Sequence, residues 1–383
     1  MAAESLDSKP SGAAFQSPLD ISFEAGLIFS KLMAGVYASL HPINVLLALL
    51  ALLLVGCVST WLPGSVEIGT EAIPGATTGT PPAYVVPSPM SVGALGSTTN
   101  PLWIASELMQ PWADLFRGSF WRQTVICLWG LMVWSWAGTM ICRSTALRLG
   151  RVDHQWWDVV RFTNQHYLDS LFSILIPLAA LAALALPLAV TGWLLVWDWT
   201  SIVGAPVAVL GSVFGLLMGV ILLGLILAWP LMFPAIAFEG RDSFESISRA
   251  YAYILQRPIH AFLVAVAAVA IGSLVGSVIE FFCSLSASGY AWALSWGTNA
   301  GNADRFSQLL QSSGEGPLII RYWSGPMLRT SVEGFSFLAR AASYSMFWGL
   351  ASGMYLLLRR YLDQTPLDEV YRPGQATLKS LDA

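Results

Sequence analysis

The sequence has 383 residues, of which 55% are hydrophobic and 11% charged, with a formal net charge of −4. Soluble domains carry about 25% charged residues, so this composition excludes an ordinary water-soluble domain and points to a chain solvated by lipid. With no basic run to neutralise a phosphate backbone, it also argues against a nucleic-acid partner.

Residues 1–21 contain no apolar run and are expected to form a disordered cytoplasmic tail. From Ser22 to Leu40 the pattern predicts a short amphipathic helix capped by Ser22. A first span is predicted at 42–62, an uncharged run of the ~20 residues that cross roughly 30 Å of hydrocarbon. It starts too far from the N-terminus for a cleaved signal and is expected to be retained. Residues 63–120 form an outer loop. Its first part, 63–101, is rich in Gly, Pro, Ser and Thr; it cannot bury enough apolar surface to offset chain entropy and is expected to be disordered. Leu102 to Phe116 then places Trp103, Leu108, Trp112 and Leu115 roughly on one side of a helix.

The second span is predicted at 121–142. It is followed by an inner surface helix from His154 to Ser170, with Asp153 as N-cap. Residues 171–238 are apolar with a single charge, Asp198. Two spans fit, 171–197 and 201–232, split at Trp197-Asp198-Trp199-Thr200, where an acid between two indoles suits an interfacial turn. Three spans are the alternative. Pro177, Pro187, Pro206, Pro230 and Pro234 fall inside this stretch. They read as kinks, or as broken helices of the kind that build transport sites.

Next comes the inner loop of Glu239, Gly240, Asp242, Glu245 and Arg249. Asp242 and Glu245 have the spacing of a capping box, and Phe244, Ile247, Tyr251 and Ile254 form one helical face. Arg249 stands one turn beyond Glu245 for an i,i+4 pair. The fifth span is predicted at 259–282 and the sixth at 335–358, stopped by Arg359-Arg360. Between them lies an outer loop, 283–334, whose pattern specifies no fold. Residues 22–359 thus form one membrane domain, with 360–383 as a cytoplasmic tail. The expected fold class is an all-α integral membrane protein of six transmembrane helices with short interfacial helices.

Orientation follows from lysine and arginine. Thirteen lie in segments that six spans place on one side and five on the other, with Arg340 inside the last span. Both termini are therefore expected in the cytoplasm. A surface helix precedes each odd-numbered span. Tyr37, Pro42 and Ile43 share the spacing of Tyr253, Pro258 and Ile259, which reads either as a threefold repeat of surface helix plus hairpin or as the surface helix that any inner loop of this length would form.

Small residues recur every fourth position: Gly211, Gly215 and Gly219; Ala268, Gly272 and Gly276; Ala341, Ser345, Gly349 and Gly353. Such ladders let membrane helices approach closely, which suggests helix packing at these positions. Glu280 and Arg340, near the outer ends of spans five and six, pair across the hairpin or sit in interfacial water. Cys57, Cys127, Cys142 and Cys283 lack zinc spacing and read as small hydrophobes. His41, His154, His166 and His260 show no i,i+4 pair. No nucleophile elbow or phosphate loop stands out. No catalytic residue, cofactor or metal is therefore expected.

Residues 239–251, from Glu239-Gly240 through the amphipathic helix, resemble the inner loop of uncharacterised bacterial multi-span proteins. These are similar to the membrane domain fused to glycerophosphodiester phosphodiesterases. Leu357-Leu358-Arg359-Arg360 followed by Asp368-Glu369-Val370-Tyr371 is similar too. The phosphodiesterase domain has no counterpart here, so the resemblance implies a membrane module in a bacterial inner membrane and not that activity. The expected function is a non-enzymatic scaffold or accessory module. Its partners are the bilayer and another membrane or cytoplasmic protein met through the inner helices. A transporter or channel for a neutral or apolar solute is the alternative.

Overall fold

The computed structural model describes residues 18–61, 100–113, 120–296, 325–364 and 370–371. Every regular element among them is an α-helix. The expectations for 1–17 and most of the 63–101 loop lie outside the described residues. In chain order the helices are α1 (Pro18–Ser39), α2 (Pro42–Trp61), α3 (Pro101–Ala113), α4 (Phe120–Leu149), α5 (Trp156–Gln165), α6 (Tyr167–Leu195), α7 (Asp198–Glu239), α8 (Ser243–Gln256), α9 (Pro258–Ser295) and α10 (Gly325–Asp363).

Four helical segments are long and apolar enough to cross a membrane: Trp121–Leu149, Tyr167–Leu195, Gly204–Glu239 and Pro258–Leu294. A fifth candidate is the pair Gly26–Ser39 and Pro42–Val58, bent by 68°. Helices long and apolar enough to cross a membrane are thus a property of this chain. α10 is not among these candidates, and the reason is its position. It packs against α1, α2, α3, α4, α7, α8 and α9, and residues 341–353 are buried on all sides. A helix enclosed by helices meets side chains rather than lipid, so Ser343, Ser345 and Ser352 are tolerated there. Ser343 and Ser352 donate their hydroxyls to the carbonyls four residues back.

Several boundaries differ from those expected. The 171–238 stretch forms two helices that meet at Val196–Trp197, and both run unbroken through their prolines. α9 continues to Ser295 and α10 starts at Gly325, so much of the 283–334 segment is helical. Its serines do not end the helices because they bond backward, as Ser286 does to Phe282 O at 2.9 Å. The caps also change. α1 starts at Pro18, before Ser22. α5 starts at Trp156, with Gln155 and not Asp153 at the N-cap.

α1 is not a surface helix. Leu32, Val36 and Ser39 are buried against α9 and α10. Gly35 and Gly349 make this possible: a Cβ on Gly35 would stand 2.7 Å from the Gly349 carbonyl oxygen. Ser345 donates to Ser39 O at 2.7 Å beside this contact. Asn44 then braces the bend into α2 by donating to Ala38 O at 3.1 Å. The repeat gains little from its shared spacing, because Tyr37 is 85% exposed whereas Tyr253 is buried.

The ladders divide in the same way. Gly349 and Gly353 face α1, and Gly272 faces Pro101 and Leu350. Gly276 is buried one turn further on. Gly211 meets Leu188 of α6, but a Cβ at Gly215 or Gly219 would meet nothing within 4 Å. These two positions do not serve helix packing within the described residues. Their spacing repeats, but α7 turns that stripe away from its neighbours.

Gly349→Ala therefore forces α1 and α10 apart. It should lower stability by about 1–3 kcal/mol, the range for overpacking a tight contact. Gly215→Ala should leave the melting temperature of the detergent-purified protein unchanged. Equal melting shifts for the two would mean that α1 does not seat on Gly349.

Candidate functional site

The inner-loop motif sits where α7 ends, and that end is buried. Residues 231–239 are all shielded from solvent. A helix terminus leaves its last carbonyls without intrahelical donors, and in a buried place other donors must reach them. Gly240 adopts φ +62°, the left-handed conformation that glycine takes without strain, and its N–H bonds Ile236 O at 2.8 Å. Arg143 of α4 donates from Nη1 to Ala237 O at 2.6 Å. The backbone N–H of Tyr371 donates to Phe238 O at 2.8 Å. Arg143 Nη2 then donates to Tyr371 O at 2.8 Å, and its guanidinium lies 4.0 Å above the Phe162 ring of α5. One arginine thus ties α4, α5, α7 and the chain after α10 together. Its charge also complements the negative end of the α7 dipole.

Glu239 is the second centre. Its side chain is 5% exposed. It accepts from the Tyr355 hydroxyl at 2.6 Å and from Arg249 Nη1 at 2.7–2.9 Å, with Arg359 Nε at 3.4 Å. Arg249 also donates to Glu245 at 3.0 Å and lies 3.6 Å from Asp363. Tyr253 donates to Asp363 at 2.5 Å. Burial pulls the Arg249 pKa down. The Glu239 charge and the bonds with Tyr253 and Glu245 more than offset it, so the guanidinium is held above its usual value. Burial, then the Asp363 bond and the nearby carboxylates, push the Tyr253 phenol up, which keeps it a donor. The network joins α7, α8 and α10.

Two expectations for the motif are corrected. Asp242 occupies the N-cap position of α8 in extended conformation, but its side chain makes no cap hydrogen bond. Glu245 does not close a capping box; it pairs with Arg241 at 3.0 Å and with Arg249. The arginines outcompete the backbone because a charged donor bonds a carboxylate more strongly. Arg249 is more than the exposed half of an i,i+4 pair, since it compensates a buried carboxylate on another helix.

The expected partner of Arg340 also changes. Arg340 donates to Glu107 Oε1 of α3 at 2.9 Å, with its guanidinium 5.4 Å from the Trp103 ring. Glu280 is half-buried on α9. Sequence left pairing with Glu280 and interfacial water both open for Arg340, and α3 instead brings Glu107 to it from a distant part of the chain.

Arg143, Tyr355 and Asp363 were not singled out by sequence, and Tyr253 was named only as a marker of the repeat. Arg143 had one available signal: it lies directly after Cys142 at the end of an apolar run, deeper than Arg148. The tyrosines had none. Among the described residues, no group of three or more His, Cys, Asp or Glu is arranged to hold a metal. No family model, curated protein or solved structure matches the chain.

Removing Glu239 leaves guanidinium groups without their carboxylate. Glu239→Gln should cost roughly 2–4 kcal/mol, whereas Asp242→Ala should cost under about 0.5 kcal/mol, both measured by thermal unfolding in detergent. A larger loss for Asp242→Ala would restore the capping role. Gly240→Ala should act differently. An added Cβ would overlap the Tyr371 ring and strain the left-handed turn. It should release the chain after α10 and raise hydrogen exchange at Tyr371, and unchanged exchange there would contradict the docking.

Proposed function

We propose that the chain is a non-enzymatic membrane module with six spans and both termini in the cytoplasm of a bacterial cell. The observation that carries this reading is the network around Glu239 and Arg143. Its buried charges bind helix ends, neighbouring helices and the chain after α10, which is the work of a fixed platform. α5 and α8 flank this platform. They turn Trp157, 75% exposed, and Phe244, 67% exposed, away from the bundle. Such residues suit insertion among lipid headgroups or contact with a partner protein. The similarity of the Glu239-Gly240 segment to the membrane domains described above agrees with this reading.

The sixth span is α10. Its 39 residues extend about 58 Å at 1.5 Å per residue, well beyond the hydrocarbon core. Its mid-helix serines, Ser343, Ser345 and Ser352, are buried among other helices. Transport through broken helices is the alternative, and the unbroken course of α6 and α7 through their prolines favours the module.

Cysteines introduced at Ser97 and Ser313 should react with an impermeant thiol reagent in intact cells, and one at Ser380 should not. The exposed Cys57 is replaced by serine first. Labelling at Ser380 alone would invert the topology. A photo-crosslinking residue at Phe244 should give one discrete protein adduct in cells. Lipid adducts alone would remove the scaffold role and leave a membrane anchor.

A further inference from the structure

A cavity of about 320 Å³ lies between α2, α3, α4, α6, α7 and α10, and none of the Glu239 network residues lines it. Its walls are aromatic: Trp112, Trp134, Trp229, Phe233, Tyr344 and Trp348. Trp134 and Tyr344 are stacked with ring centroids 4.8 Å apart, and Trp229 stands edge-on to Trp348 at 5.8 Å. Two polar atoms in this lining are buried and have no hydrogen-bond partner. One is Glu107 Oε2, whose Oε1 already accepts from Arg340. The other is the indole N–H of Trp348, a residue 0% exposed. Native structures rarely leave buried donors and acceptors unpaired, so each such atom calls for a cause.

We propose that this cavity binds a neutral, planar, phenol-like molecule taken up from the membrane phase. The aromatic walls suit a flat ring, which stacks on or meets the edges of indoles. A ring hydroxyl offers the donor that Glu107 Oε2 lacks. Neutrality follows from Arg340. Glu107 already has its counter-charge, so a cationic or anionic ligand would leave an unbalanced charge in an apolar chamber. An acyl chain would satisfy the walls but neither polar atom. The volume is about twice the ~150 Å³ cavity that admits benzene, and at the lower end of ligand pockets, which suits a ring system of two fused rings. α3 holds Glu107 in place. Ile104 is fully buried, Asn100 accepts from the Leu102 N–H at 2.9 Å, and the Arg340 pair fixes the carboxylate itself.

The structure also supplies a way to close the chamber. Gly130 of α4 is part of its lining, and a Cβ built there meets nothing within 4 Å. Gly130→Leu therefore starts into open space and occupies part of the cavity. The probe is radiolabelled 2-naphthol, bound to the full chain in lipid nanodiscs by equilibrium dialysis, with empty nanodiscs subtracted. One saturable site is expected. Naphthalene, which has the ring but no hydroxyl, should bind at least about tenfold more weakly, as befits loss of a hydrogen bond to a charged group. Gly130→Leu should abolish saturable binding while leaving the melting temperature intact. Glu107→Gln keeps the shape and should reduce the preference for naphthol over naphthalene at least about threefold. Absence of saturable naphthol binding overturns the proposal. So does equal binding of naphthalene, or binding that survives in folded Gly130→Leu. If Glu107→Gln fails to fold, the naphthalene comparison and Gly130→Leu still decide.

Discussion

The buried C-terminal end of α7 is the constraint on which the rest of the bundle depends. A helix that stops in water hands its last carbonyls to solvent. α7 stops among other helices, with Ile236, Ala237 and Phe238 fully buried, and must find protein donors. Gly240, Arg143 and Tyr371 supply them from three separate parts of the chain. Each donor fixes the place of its own element, so one helix end sets the positions of α4, α8 and the segment after α10. The pair Glu239-Gly240 is then intelligible as one unit. The glycine turns the chain, and the tyrosine ring of Tyr371 packs where a side chain would have stood. The carboxylate before it collects the arginines of α8 and α10.

Above this charged end, close approach of backbones replaces hydrophobic burial as the organising force. Lipid is as apolar as leucine, so burying leucine gains little there, and contact density decides which faces meet. Gly35 against Gly349 is the closest instance, and it draws α1 into the bundle beside α10. α10 is enclosed as a result. It can carry serines, Tyr344 and Tyr355 because its neighbours satisfy them. The α6–α7 hairpin is the opposite case. Its outer parts keep leucines and valines such as Leu186, Val209 and Leu216 exposed, as expected of lipid-facing helices.

The two charged clusters differ in character. At the α7 terminus, carboxylates and guanidinium groups are numerous and nearly saturated by one another, with tyrosine hydroxyls completing the set. Between α3 and α10 a single carboxylate meets a single arginine, and beside it a chamber remains with an unpaired acceptor and an unpaired indole donor. The first arrangement resists change. The second keeps hydrogen-bonding capacity available within an aromatic enclosure.

Local sequence is enough to read a helical chain and where most of its long apolar helices run. Those features are written in local composition: apolar runs of sufficient length and interfacial tryptophans. It also determined that small residues stand at four-residue spacing, but not which stripes touch. Gly349 and Gly215 look alike in sequence, and only the arrangement of helices puts one against Gly35 and the other against nothing. Partner choice was equally hidden. Arg340 with Glu107, Arg143 with Tyr371 and Glu239 with Tyr355 are separated by 233, 228 and 116 residues. Spacing rules reach four residues along a helix, and so they proposed Asp242 as a cap and Glu245 as the whole partner of Arg249. The tertiary structure kept the Glu245–Arg249 pair but added to it a buried carboxylate from another helix, and it left Asp242 without a cap bond.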